Sequence, residues 1–308
     1  IIRDKNGEIY VAGIMEHIEE AGIHSGDSAC SLPPYSVSKE TQNKIIEWVS
    51  KIANEINVVG LMNTQLAIKD KKIYVLEVNP RASRTVPFVA KSKGIPVAKI
   101  AAKVMVGENL NSILNDYKIN ELKNFNVKES VFPFNKFDGV DLILGPEMKS
   151  TGEVMGIDET FLSSYIKSQI ACGNILPSKG TVFISIDNDN KKFIIEIAQK
   201  LKELDFNLLA TKGTAEYLNS NNIKTKIVNK VKEGNPHVVD SLINNEIQLV
   251  INTTKTQSSI RDSYSIRRTS LMYNIPYYTT IAGAKVAVDA IEHMKTQEFT
   301  IKSLQTIN

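Results

Sequence analysis

The sequence predicts an α/β protein of two unlike parts, a lobe built around an antiparallel hairpin followed by a parallel sheet covered on both faces. Two patterns carry this expectation. In residues 61–81 two strand-like runs flank the polar Asp70, Lys71 and Lys72, and period-two alternation puts Glu77 and Asn79 on one face and directs Leu76 and Val78 the other way, into a core. From Thr181 onward, short apolar runs at 181–186, 206–210 and 247–251 alternate with helical spacings such as Phe193, Ile197, Leu201 and Leu204. Between the two patterns, residues 108–126 are polar and read as a connecting segment, and Leu176-Pro-Ser-Lys-Gly180 has the composition of a linker.

The remaining elements follow in order. Residues 1–13 form a strand-and-turn pattern with Asn6-Gly7 as a hairpin turn and begin without Met, which reads as a fragment. Residues 13–30 are polar, punctuated by glycine and too irregular for a regular helix or strand, so they are expected to be a functional loop. Ser38 can cap a helix through Asn57 with Ile45, Val49, Ile52 and Ile56 at helical spacing. A second helix is expected from Pro96, with Val97, Ile100, Ala101 and Val104 as its stripe and Gly107 as its stop. Residues 127–156 are rich in Phe, Pro and Gly, with turns at Gly139 and Gly145, and a helix is expected over 159–171.

Composition narrows the function classes. The 308 residues are 42% apolar and 23% charged, an ordinary folded chain. With 37 basic against 34 acidic side chains the net charge is +3, which leaves no electrostatic footprint for nucleic acid. Cys30 and Cys172 lack metal spacing and read as free thiols of a reducing cytoplasm. No apolar run approaches the ~18 residues of a membrane span, and no signal peptide opens the chain.

The chemistry is concentrated in three places. A three-residue loop at 70–72 would set Gln65 opposite Glu77, so that Gln65, Glu77 and Asn79 offer one carboxylate and two amide oxygens, a donor set for Mg²⁺ or Mn²⁺ shared with a nucleotide phosphate rather than for Zn²⁺. Arg81 and Arg84 follow, ready for phosphoryl oxygens; the plainer alternative is a polar hairpin face turned to water. In the 13–30 loop, Gly22 and Gly26 allow close approach of backbone to a ligand beside His24, Ser25 and Asp27. In the last third, Thr211-Lys-Gly-Thr214, Asn229-Lys230 and Asn252-Thr-Thr254, backed by Ser263, stand at strand ends where a phosphate can be held, or where hydroxyls simply cap helices.

The wording Glu77-Val-Asn-Pro-Arg81, preceded by Met62-Asn-Thr-Gln65, resembles the metal-binding hairpin of ATP-grasp enzymes, most closely the large chain of carbamoyl-phosphate synthetase, and the resemblance extends over nearly the whole chain. It implies the C-terminal part of an ATP-grasp fold followed by a Rossmann-like, methylglyoxal-synthase-like domain. The implied divisions are 1–108 for the catalytic lobe, 109–177 for a segment packed on it, and 178–308 for an allosteric domain. On the same grounds Gly22, Ile23, His24, Ser25, Gln65 and Glu77 would contact ATP, and Arg81 and Arg84 would serve the transferred group. Lys191, Thr211, Thr214, Lys230, Asn252, Thr254 and Ser263 would hold a regulatory nucleotide monophosphate, UMP or IMP. Glu19, Asp27, Glu129, Tyr277 and Thr279 would hold ornithine. Methylglyoxal synthase places its catalytic Asp in a Gly-Gly-Asp segment; the corresponding Glu233-Gly-Asn-Pro236 lacks it, so a binding module is expected there.

The implied activity is ATP-dependent phosphorylation of carbamate to carbamoyl phosphate for pyrimidine and arginine synthesis. It would be served by Mg²⁺ or Mn²⁺, with K⁺ as a further ion, and by a glutamine amidotransferase small chain, in an oligomeric enzyme that engages neither nucleic acid nor membrane. Half of the nucleotide cleft would lie outside these residues, so the chain alone is expected to be inactive. A stand-alone nucleotide-sensing module is the rival reading. A biotin-carboxylase relative would account for Glu77 to Arg81 but not for the part after Gly180.

Overall fold

The computed structural model describes residues 1–119, 121–137, 139–298, 300, 301 and 303. The chain opens with β1 (Ile2–Arg3) and β2 (Ile9–Tyr10), paired antiparallel across the turn that contains Asn6-Gly7. β3 (Glu16–His17) and β4 (Cys30–Leu32) follow, with the loop between them free of regular structure apart from an isolated bridge. The short β3 is the one regular element inside the stretch expected to be irregular.

α1 (Lys39–Glu55) begins where Ser38 Oγ accepts from the N–H of Thr41, and buries Ile45, Val49 and Ala53. β5 (Gly60–Leu61) pairs with β1, while β6 (Asn63–Lys69) and β7 (Lys72–Asn79) form a separate two-stranded hairpin. The hairpin reaches the expected pairing of Gln65 with Glu77 by another route. Asp70 and Lys71 both sit at positive φ, 51° and 62°, as in a tight two-residue turn, and a register shift between Gln65 and Leu66 places one extra residue, Leu76, in β7. The bulge also corrects the expectation for Leu76. The extra residue is left out of the ladder, and Leu76 is 49% exposed, whereas Leu66, Ile73 and Val78 pack on Val49, Ala53 and Met62.

α2 (Thr85–Lys93) was not foreseen in the sequence, and it ends at Gly94 in the left-handed region. α3 (Val97–Met105) buries the expected Val97, Ile100, Ala101 and Val104 against Ile2, Leu32, Phe88 and Leu110. α4 (Leu110–Leu114) puts a helical turn into the segment expected to be a plain connection, with Leu110 and Ile113 buried.

β8 (Phe125–Val131) and β9 (Gly152–Asp158) pair antiparallel from Phe125↔Asp158 to Val131↔Gly152 and complete a sheet of order β3-β4-β8-β9. The Phe-, Pro- and Gly-rich stretch between them is therefore an excursion from one hairpin. α5 (Phe161–Ala171), capped by Thr160, lies across this sheet so closely that a Cβ on Gly156 would stand 2.0 Å from the carbonyl oxygen of Ser164.

The final part is the expected parallel sheet. It contains β10 (Thr181–Ser185), β11 (Asn207–Ala210), β12 (Lys226–Ile227), β13 (Leu249–Asn252) and β14 (Tyr277–Tyr278) in the order β12-β11-β10-β13-β14, every pair parallel. The connecting helices are α6 (Lys191–Glu203), α7 (Lys212–Ser220), α8 (Val238–Ile243), α9 (Gln257–Asp262), α10 (Tyr264–Met272) and α11 (Ile281–Thr296). They bury both faces: Val182, Ile184 and Leu249 pack toward Ile194, Ala198 and Ile291, and Phe183 and Val250 pack toward Val238, Leu242 and Ile266. The first of these clusters continues into Val127, Tyr165 and Ile166, so β8 and α5 share a core with the parallel sheet. No helix among the described residues is long and apolar enough to cross a membrane.

Candidate functional site

Two concavities and one row of strand ends gather the residues with chemistry. The larger concavity, about 950 Å³, runs between the start of the chain, α1 and β6, and both Ser25 and Gln65 line it. Gln65 is paired with Glu77, and Asn79 Nδ2 donates to Glu77 Oε1 at 2.9 Å, so the amides and the carboxylate stand side by side. Glu77 is exposed, within reach of an arriving ion. Among the described residues there is no group of three His, Cys, Asp or Glu side chains able to hold a metal, so a cation here depends on the amide oxygens of Gln65 and Asn79. One carboxylate with amide oxygens fits a hard divalent cation that keeps other oxygens, phosphate or water, in its shell. Arg81 and Arg84 are exposed beside this end of the hairpin, Arg81 donating to the carbonyl of Ala82 at 2.9 Å.

The loop between β3 and β4 is held by its surroundings rather than by its own regularity. The N–H of His24 donates to the carbonyl of Gly145 at 2.8 Å, and His24 Nδ1 accepts from the N–H of Gly26 at 3.0 Å. Gly22 has φ +107°, a conformation that side chains rarely adopt, and open space where a Cβ would stand. Lys128, 1% exposed, donates to the carbonyls of Ser25 and Gly26, both at 3.2 Å. Asp27 is buried, and its carboxylate accepts from the N–H groups of Lys149 at 2.8 Å and Ser150 at 2.9 Å.

The second concavity is a cavity of about 310 Å³ where β8, α5, the β8–β9 excursion and the end of β14 meet. All of Glu19, Asp27, Glu129, Tyr277 and Thr279 line it. Glu19 lines the larger cleft as well. Burial, reinforced by the nearby charge of Glu129, pushes the Glu19 carboxyl up to about 8, and burial pushes Glu129 up to about 7. Glu19 accepts from the N–H of Ala29 at 2.7 Å, and Glu129 accepts from Gln169 Nε2. Because both carboxylates touch solvent only partly and through a cavity, a cationic ligand entering it would meet acceptors already desolvated.

At the C-terminal edge of the parallel sheet, Ser185 pairs with Asn252, and Thr211 follows β11 directly, its Oγ1 at 3.4 Å from Ser185 Oγ and from Thr214 Oγ1. Thr211, Thr214 and Asn252 are buried, and Asn252 Oδ1 has no hydrogen-bond partner among the described residues. Lys191 opens α6, its Nζ 3.7 Å from where a Cβ on Gly213 would stand. Lys230, exposed, precedes a 3₁₀ turn, its N–H donating to Glu233 at 2.8 Å. Thr254 follows β13 by two residues, and Ser263 lies where α9 gives way to α10.

Residues 1–113 match the family model described as carbamoyl-phosphate synthase L chain, ATP binding domain, and residues 193–279 match the MGS-like domain. The chain is 50% identical to the carbamoyl phosphate synthase large chain of Myxococcus xanthus over 305 residues, covering 99% of this chain and 28% of that protein. It is 50% identical to that of Archaeoglobus fulgidus over 299 residues, 97% of this chain and 28% of the relative, and 51% identical to that of Rhizobium meliloti over 303 residues, 97% and 26%. The chain belongs to the carbamoyl phosphate synthase large-chain family. It spans little more than a quarter of the length of these relatives.

Among solved structures, the biotin carboxylase subunit of a pyruvate carboxylase matches with a TM-score of 0.43 at 16% identity, covering 55% of this chain and 43% of that one. Methylglyoxal synthase from Elizabethkingia anophelis matches with a TM-score of 0.29 at 18% identity, covering 37% and 79%. Sequence reasoning had not picked out several polar groups of this chain: Lys128 behind the 22–25 loop, Gln169 and Tyr278 in the cavity, and Ser185 at the sheet edge. Lys128 and Ser185 sit in β8 and β10, where nothing in the sequence marks an inward-facing polar group.

Proposed function

We propose that this chain supplies a carbamoyl phosphate synthase with part of its carbamate-phosphorylating ATP-grasp unit and with its regulatory domain. The observation that carries the reading is the meeting of Gln65, Glu77 and Asn79 on one hairpin whose Gln65 shares a cleft with Ser25. Gln65, Glu77 and Asn79 would hold Mg²⁺ or Mn²⁺, with K⁺ as a further ion of the site's chemistry. When bound, the divalent ion neutralises charge on the phosphates of ATP. Gly22, Ile23, His24 and Ser25 lie against the nucleotide. Arg81 and Arg84 offset the charge on the transferred group, and no side chain acts as a nucleophile.

Residues 1–108 form the catalytic lobe in this reading, 109–177 the connecting segment and 178–308 the regulatory domain. Lys191, Thr211, Thr214, Lys230, Asn252, Thr254 and Ser263 bind UMP or IMP, supported by Asn252 Oδ1, which has no partner among the described residues, and by the clustered hydroxyls. Glu19, Asp27, Glu129, Tyr277 and Thr279 bind ornithine, supported by their convergence on a single cavity with two buried carboxylates. A glutamine-hydrolysing small chain supplies ammonia, the enzyme is oligomeric and cytoplasmic, and the 308 residues alone are inactive.

The test is Glu77→Gln in a full-length synthase carrying this chain, followed through the reverse reaction, ATP from ADP and carbamoyl phosphate. The substitution removes the only carboxylate of the donor set at almost constant volume, so the rate is expected to fall by at least a hundredfold while the fold is kept. Near-normal rates refute the metal assignment.

A further inference from the structure

The excursion between β8 and β9 is gripped at its middle and at its end. At its middle, Asp141 receives Nε and Nη2 of Arg267 on α10, a bidentate ion pair whose guanidinium side chain is 1% exposed. Arg267 Nη2 also donates to the carbonyl of Ile260 at 2.8 Å, and the neighbouring Arg268 donates to the carbonyl of Val140 at 3.2 Å. Near its end, Gly145 accepts from His24, and Lys149 and Ser150 donate to Asp27. Between these anchors, Leu142 and Leu144 form part of the wall of the cavity that holds Glu19 and Glu129.

The other side of Arg267 faces the sheet edge. The hydroxyl of Tyr277 accepts from Asn252 Nδ2 at 2.7 Å, and the positive charge of Arg267 lies near enough to favour its ionised form. Arg267 Nη1, like Asn252 Oδ1, is buried without a partner among the described residues. Two sets of polar contacts therefore meet here: Asn252 with Tyr277 at the sheet edge, and Arg267 through Asp141 to the segment that fixes His24 and Asp27, with the Arg267 charge facing Tyr277 between them.

We propose that the Arg267–Asp141 pair is the joint through which the C-terminal sheet positions the nucleotide loop, so that a ligand at Asn252 or in the cavity beside Tyr277 is felt at residues 24–27. This rests on the ligand sites proposed above. The physical warrant is the bidentate geometry. A planar fork on a carboxylate fixes both distance and orientation, and burial leaves it little screened, so the pair transmits a shift of α10 as a displacement of the excursion rather than absorbing it. A contiguous set of contacts becomes coupling only if perturbing it changes one site's response to the other, and that is what the experiment reads.

Asp141→Asn, in the full-length synthase, removes the charge and keeps an acceptor at a side chain that is 27% exposed and outside the proposed catalytic and ligand-binding sets. The KM for ATP is measured with and without UMP and ornithine as probes, and binding of each probe is measured separately by calorimetry. The effector-free KM and kcat are expected within about twofold of wild type and both probes still bind, while the change in KM that each produces shrinks to less than about twofold. Asp141→Asn combined with Arg267→Met, which leaves no buried charge unpaired, carries the same expectation if the single variant does not fold. A folded variant that binds the probes and responds as wild type does overturns the joint. Wild-type enzyme that binds neither probe overturns the two-site reading and the joint with it.

Discussion

Replacing Glu19 by Gln separates the charge of the small cavity from its shape. The glutamine can still accept from the N–H of Ala29, as Glu19 does at 2.7 Å. The carboxyl of Glu19 is raised in the folded protein from 4.5 to about 8, first by burial and then by the charge of Glu129. A raised carboxyl means that the folded state holds the proton more tightly than the unfolded state. Its favourable contribution is complete below about 4.5 and is lost as pH climbs through about 8. At about 1.4 kcal/mol per pKa unit the full shift caps the effect at about 5 kcal/mol, of which roughly 2–4 kcal/mol falls between pH 5 and pH 8. Glu19→Gln carries no such loss. Thermal unfolding of the 308-residue chain should therefore give nearly equal Tm values for wild type and variant at pH 5, and at pH 8 a variant more stable by roughly 3–6 °C. Ornithine should narrow the gap at pH 8 by stabilising the wild type. A difference between variant and wild type that is the same at both pH values would refute the reasoning, because only a titrating group can make it grow with pH.

Lys230→Ala combined with Thr254→Ala is expected to weaken UMP binding at least tenfold, and wild-type binding itself should weaken as salt rises because the phosphate contact is partly exposed; titration calorimetry at two ionic strengths reads both. Gly156→Ala drives a methyl to 2.0 Å from the Ser164 carbonyl and 2.6 Å from the Ser168 nitrogen, so α5 must lift from its sheet, and urea unfolding should show a loss of about 3 kcal/mol or more.

The parallel sheet was legible because burial on both faces leaves an unmistakable trace, short apolar runs separated by helical spacings, and Val182, Phe183 and Ile184 are each fully buried. The α3 stripe was legible for the same reason. What escaped the sequence were elements whose pattern is set by neighbours rather than by themselves. α2 follows a Pro-Arg-Ala-Ser run that reads as loop, and it buries Phe88 and Val89 only because α3 and β4 are there to receive them. β8 looks mixed, with Lys128 and Ser130 buried among apolar residues, because its inward polar groups answer the backbone of the 25–26 loop rather than water. The cavity of Glu19, Glu129 and Tyr277 joins residues more than a hundred positions apart, and no local pattern announces it. Family resemblance singled these residues out; their raised carboxyls follow only from how the chain is packed.

The hairpin's tight turn and its extra residue at Leu76 add up to one register. Two turn residues would set Gln65 against Leu76, and the bulge moves the partner on by one, to Glu77. Loop length and strand irregularity are thus interchangeable here. A chain with one residue more in the turn and one fewer at position 76 would present the same carboxylate and amides to an ion. Length changes within 66–76 can therefore drift between relatives in compensating pairs while the ligands stay fixed, and a gap-free alignment of two such hairpins would still superpose the donors while shifting the residues between turn and bulge by one, onto the opposite face.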